Sequence, residues 1–130
     1  MSSEPAQKVT LTIPGKPRFV NIARLFVGGL AARLDLGYET MDDLQLALES
    51  VLRKADLGQE VTLEACVDGE NVFMLVGPFG RDPLEAGGHT DSLELERLLA
   101  ALVAGAESVS RDGGHWLRLD VRIPAGSGST

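Results

Sequence analysis

The stretch "LALESVLRKA", residues 46 to 55, sets a carboxylate and a guanidinium four positions apart, Glu49 and Arg53. A carboxylate can take a proton from an attacking hydroxyl, but only beside a positioned substrate. A guanidinium has five donors and no acceptor, so Arg53 can pair with an anion and cannot ligate a metal. With the Glu first, this spacing is also the favourable orientation for a helical ion pair worth roughly 0.2–0.5 kcal/mol. Cys66 is the only cysteine and cannot form an intramolecular disulfide, and with His89 and His115 it falls short of a metal-binding set. Both histidines sit in Gly-rich turns, where polar residues are common. Cys66 falls on the polar phase of its strand, which predicts partial exposure, and no cation near it in sequence would activate the thiol. Arg24 lies off the apolar stripe of its helix, and Trp116 shares an outward phase with Arg118, Asp120 and Arg122. Each is a candidate partner contact, because Arg and Trp dominate interface energetics. The plainer alternatives are a solvated Arg24 and a Trp116 covered by a neighbouring side chain.

A chain of 130 residues is one domain by size and can bury a core without disulfides or metal. At 44% hydrophobic and 24% charged, its composition is that of a soluble globule. The net charge of −7 argues against a phosphate backbone as a direct partner, since DNA and RNA binding needs clustered Lys and Arg. "MSSEPAQK" lacks an apolar signal region, and no run approaches the roughly 20 apolar residues of a membrane span. The expectation is a cytoplasmic protein, neither exported nor anchored.

The elements that must position these groups follow from periodicity. Residues 1 to 7 and 124 to 130 are small and polar and read as disordered, leaving a single domain over 8 to 123. "KVTLTI" alternates, with Val9, Leu11 and Ile13 on one face of a strand. From Arg18 to Leu34, Phe19, Ile22, Ala23, Phe26, Leu30 and Leu34 give a helical stripe, interrupted by Gly28 and Gly29. A second helix opens with Thr40 as its cap, buries Leu44, Ala47, Leu48, Val51 and Ala55, and ends by Gly58. Val61, Leu63, Ala65 and Val67 alternate up to Asp68-Gly69, a hairpin turn pair, and an apolar strand follows. After a Gly- and Pro-rich connection, a third helix starts at Asp91 or Ser92 and carries Leu95, Leu98, Leu99, Leu102 and Ala106. A closing hairpin turns Leu117, Leu119, Val121 and Ile123 inward. The pattern predicts a two-layer α/β sandwich, a mixed but largely antiparallel sheet covered on one face by three helices.

That order of strand, two helices, hairpin, connection, helix and hairpin resembles the GHKL ATPase fold and, within it, the small anti-sigma-factor serine kinases of the RsbW type. "ARLFVGGLAARLDLGYETMDDLQLALESVL" is similar to the first two helices of that family, including the Ala23-Arg24 pair and the run from Asp43 through Ala47 to Glu49. The resemblance puts Glu49 where the family keeps its general base, and Arg24 on a surface that meets partner proteins. It also implies three departures. Arg53 replaces an Asn that ligates Mg²⁺. In "LVGPFGRDP", with Gly77-Pro78 aligned to the family's Gly-Pro, Leu75 stands where an Asp reads the adenine amino group, and Phe79 replaces a Gly. In "GGHTDSLELERLL", Gly87 and Gly88 come early, and Asp91, Glu94 and Glu96 occupy a helix start where phosphates would lie; carboxylates there repel ATP.

Together these imply a pseudo-ATPase with no cofactor, in which Glu49 is vestigial and Arg53 and Gly77 belong to a degenerate nucleotide site. The scaffold would then serve protein binding, with a sigma factor, an anti-anti-sigma protein or a second copy as partner. The rival expectation is an active ATP- and Mg²⁺-dependent serine kinase using Glu49 as base. A third is a small homo-oligomeric module.

Overall fold

The computed structural model describes residues 7–54, 57–85 and 90–123, with side chains in the last stretch from Leu93 onward. The readings of residues 1 to 6, the tail after Ile123, Ala55, Gly87, Gly88 and His89, and the side chains of Asp91 and Ser92, fall outside what is described.

Strand β1 (Gln7–Pro14) leads through a single 3₁₀ turn (Pro17–Phe19) into α1 (Val20–Leu34) and then α2 (Tyr38–Lys54). Strands β2 (Leu57–Asp68) and β3 (Asn71–Phe79) form a hairpin, followed by α3 (Thr90–Leu102) and a second hairpin, β4 (Gly105–Arg111) and β5 (Gly114–Asp120). The five strands make one sheet in the order β1-β2-β3-β5-β4, and every neighbouring pair is antiparallel. The expected two-layer sandwich is therefore present, with a wholly antiparallel sheet in place of a mixed one. The single crossover, through α3, delivers β4 to the edge, and β5 folds back between β4 and β3.

Register shows how the core is built. Leu11, Leu63, Val76 and Leu117 form one row across four strands, and Val9, Ala65, Met74 and Leu119 form the next. These rows meet Leu44, Ala47, Leu48 and Val51 of α2, Leu95 and Leu99 of α3, and Ala23, Val27 and Leu30 of α1 in one core cluster. Helix α2 lies between α1 and α3. The hairpin turns explain the ends of the strands. Asp112 and Gly113 both have positive φ between β4 and β5, the conformation an Asp-Gly pair adopts most readily. The first hairpin turns one residue later than Asp68-Gly69 suggests, because Asp68 itself pairs with Asn71.

Several local expectations shift. α1 turns Val20, Ala23, Val27, Leu30 and Ala31 inward, leaving Ile22 exposed. Nearly every position of "VNIARLFVGGLAARL" is apolar or small, so periodicity alone cannot choose its buried side. Gly28 makes only an ordinary contact with the Gln45 amide and Gly29 meets nothing, so neither marks a close backbone approach. α2 begins two residues before Thr40, whose hydroxyl donates instead to the Arg122 carbonyl at 3.2 Å and ties the helix to the chain's last described segment. Gly58 is inside β2 and Ala106 inside β4, while Ile123 lies beyond β5 and is exposed. β1 starts at Gln7, paired with Val67.

Leu48 is fully buried at the centre of α2, facing the sheet. Leu48→Ala should cost about 2–5 kcal/mol, the range for a large core truncation, read as a lowered urea midpoint at unchanged slope.

Candidate functional site

Glu49 and Arg53 project from the exposed side of the last turns of α2, and their side chains meet. Arg53 Nη2 lies 3.4 Å from Glu49 Oε2, with the Arg side chain 63% exposed and the Glu 21%. One residue on, Lys54 Nζ reaches 3.8 Å from Glu94 Oε1 on α3. Both cations favour this end of the helix, where the backbone carbonyls carry partial negative charge. Each is held beside a carboxylate of the chain itself. A phosphate arriving here would have to displace those carboxylates.

Leu75 and Gly77 lie elsewhere. Leu75 pairs with Glu64 on one side and Arg118 on the other, which puts it on the sheet face turned away from the helices. An Asp at that register would not reach the layer that carries Glu49. Gly77 is buried on the same face, and a Cβ there would come within 2.7 Å of the Trp116 ring. Its smallness thus accommodates an indole. Phe79 is buried in the main core, and Leu84 packs against that core as well. Asp82 fixes the segment after β3, accepting from the Leu84 amide at 2.9 Å and from Ser108 Oγ on β4 at 2.5 Å. The segment after β3 is therefore anchored by apolar burial and by one carboxylate.

The helix-free face of the sheet carries a network that sequence reading did not find. Glu64 is almost fully buried there and accepts from Arg111 Nη2 at 2.9 Å, with Lys8 Nζ at 3.8 Å. The hydrogen bond to Glu64 raises the Arg111 pKa. The Arg111 guanidinium lies 4.8 Å from the centre of the Trp116 ring, and its buried Nη1 has no hydrogen-bond partner among the described residues. Arg118 lies 3.9 Å over Phe73 and is held by Asp120 through Nε and Nη2, each at 3.0 Å. Trp116 is consequently 7% exposed, covered by its neighbours and offering little surface to a partner. Cys66 is 2% exposed, contrary to the partial exposure its strand phase suggested. Burial, and secondarily Glu64, pushes its thiol pKa up, outweighing the cations Lys8, Arg111 and Arg118 that the fold brings near. His115 is the second residue of β5, opposite Phe79, and not part of the turn.

Arg24 stands on α1, exposed, and its backbone carbonyl accepts from Gln45 Nε2 of α2 at 2.9 Å. Among the described residues its guanidinium has no hydrogen-bond or ion-pair partner. Of the site residues read from the sequence, the structure brings together Glu49 with Arg53 and Gly77 with Trp116. Arg24 stands apart from both pairs.

An antiparallel five-stranded sheet with three helices on one face is an α/β two-layer sandwich consistent with a GHKL-like domain. Sequence comparison carries the relationship further. The chain is 38% identical over 80 residues to the serine-protein kinase RsbW of Listeria monocytogenes serotype 4a (strain HCC23), covering 56% of this chain and 51% of the relative. It is 33% identical over the same length to the RsbW of L. monocytogenes serovar 1/2a, again covering 56% and 51%. To the RsbW of Oceanobacillus iheyensis it is 34% identical over 47 residues, 36% of this chain and 30% of the relative. No protein-family model matches the chain. The chain spans about half the length of the curated relatives it matches, and over that span it is RsbW-like.

The Glu49–Arg53 contact is long and open to water on the Arg side, so its loss should matter little. Glu49→Ala is expected to change unfolding free energy by less than about 0.5 kcal/mol in urea titrations. A loss above about 2 kcal/mol would show that the carboxylate is satisfied by a stronger partner.

Proposed function

We propose that this chain is a regulatory protein-binding module of the anti-sigma-factor type, a pseudo-ATPase that no longer binds ATP and Mg²⁺. In this reading it works in the cytoplasm by engaging a sigma factor or an anti-anti-sigma protein, and a second copy of itself is the remaining candidate partner. The relationship to RsbW serine-protein kinases supports the family. The observation that carries the loss of chemistry is the state of α2's end, where the residue in place of the Mg²⁺-ligating Asn is a guanidinium paired with Glu49. A cation cannot ligate a cation, and the Glu49 carboxylate faces that guanidinium within its own helix. Leu75 on the opposite face of the sheet and the indole against Gly77 support the same reading, since neither position presents a polar group to a nucleotide. These residues do not fit ATP and Mg²⁺.

The test is direct. Isothermal titration with millimolar ATP and Mg²⁺ should give no heat beyond dilution, whereas a dissociation constant near micromolar would restore the rival reading, an active serine kinase using Glu49.

Binding on this reading runs through Arg24, whose unpaired planar fork suits a partner's carboxylate. Arg24→Ala should weaken affinity for a sigma-factor or anti-anti-sigma partner by about thirtyfold, equivalent to about 2 kcal/mol, while the thermal midpoint stays put. An affinity within about twofold of the parent would move the binding surface away from this residue.

A further inference from the structure

The two edges of the sheet are guarded differently. β1, at one edge, carries Lys8 and ends in Pro14, both of which discourage the addition of a further strand. β4, at the other, has neither Lys nor Pro, and it pairs with β5 from Gly105 to Arg111 without a bulge. A regular edge of this kind presents a row of backbone N–H and C=O groups on its outer side. Among the described residues no strand takes them.

The side chains of β4 leave that row uncovered. On the helix-facing side Ala106, Ser108 and Ser110 are short, and the Ser108 hydroxyl is taken up by Asp82 at 2.5 Å. On the other side Arg111 is long enough to screen the edge, but its guanidinium lies inward, over Trp116 of β5 and bonded to Glu64 of β2 at 2.9 Å. Glu107 and Val109 remain there. Glu107 is exposed, and among the described residues its carboxylate has no hydrogen-bond or ion-pair partner; Val109 is half-buried.

We propose that β4 is a docking edge for an extended segment of a protein partner, which adds to the five-stranded sheet beyond β4 and carries Lys or Arg opposite Glu107 and an aliphatic side chain opposite Val109. Backbone pairing supplies the affinity, and those two positions supply the selectivity. The chain's net charge of −7 favours a cationic segment. Charge also disfavours a second copy of β4 as the occupant. In a twofold antiparallel pair the fully overlapping register, centred on Ser108, sets Glu107 opposite the copy's Val109 and leaves both carboxylates unpaired. Centring on Val109 sets Glu107 opposite the copy's Arg111, which Glu64 already holds, and centring on Glu107 opposes the two carboxylates. Docking here is independent of Arg24 and of nucleotide binding, since α3 is the helix that packs against β4 while α1 packs against α2.

The probe is a peptide of about ten residues, long enough to span β4, with Thr on one face and Val flanking a single Lys on the other. It is titrated into the isotope-labelled full chain and followed by amide chemical shifts. Perturbations should concentrate on Gly105–Arg111. N-methylation of alternate peptide amides separates backbone pairing from side-chain contact, because only one alternate set faces β4. Of the two methylated peptides, one should lose at least about tenfold in affinity and the other hold within about twofold. Glu107→Lys should weaken the Lys peptide at least about fivefold and favour a Glu-for-Lys version in its place. Arg24→Ala should leave the Lys peptide within about twofold of the parent. The proposal is overturned if the peptide leaves β4 unperturbed, if the two methylated peptides bind alike, or if the Glu107→Lys chain still prefers the Lys peptide. Self-association in sedimentation that Glu107→Lys abolishes would assign the edge to a second copy and overturn it equally.

Discussion

Three helices can cover only one face of a five-stranded sheet, and everything else in this molecule adjusts to that constraint. The covered face is apolar row by row, from Leu11 through Leu63 and Val76 to Leu117. The other face has no layer of its own. It is closed by long side chains lying flat, Arg111 across Trp116 and Arg118 across Phe73, with Glu64 and Asp120 holding the guanidinium groups in place. A guanidinium over an aromatic ring buries the ring while leaving charge near water, which a purely apolar face could not do without inviting association. Gly77 belongs to this solution, since the Trp116 ring occupies the space a side chain would need.

On the proposed pseudo-ATPase reading, the covered face is what lets the scaffold persist without the reaction. α2 is held by Leu44, Leu48, Val51 and Leu52, which all face inward, and none of them depends on Glu49 or Arg53. Phe79, Pro83 and Leu84, after the family's aligned Gly-Pro, are buried or packed on the core. In that reading, stability and nucleotide chemistry would use different atoms of the same helix, so one could be lost while the other is kept.

Binding draws on what stability leaves free. α1 needs only five inward residues to stay docked, and its outward side is left to Leu25, Ile22 and the arginines. Arg33 in its last turn suits the helix dipole, and packing of Val20, Ala23, Val27 and Leu30 holds α1 in place.

By itself the sequence determined the order of the elements, the helix-facing residues of β1, β2 and β5 through Leu119 and the buried stripe of α2, because strict periodicity acts over a few residues. It also carried the resemblance to RsbW proteins, which sequence comparison supports. Tertiary structure alone decided the rest. Which side of α1 is buried was settled by docking on α2, since a helix apolar all round has no preferred face. Cys66 and Trp116 lie on a polar phase and are nonetheless buried, because Glu64, Arg111 and Trp116 come from strands β2, β4 and β5 that only the sheet order brings together. Thr40 reads as a cap and instead bonds Arg122, 82 residues away. Contacts at that separation depend on strand order and helix docking, which no local pattern encodes.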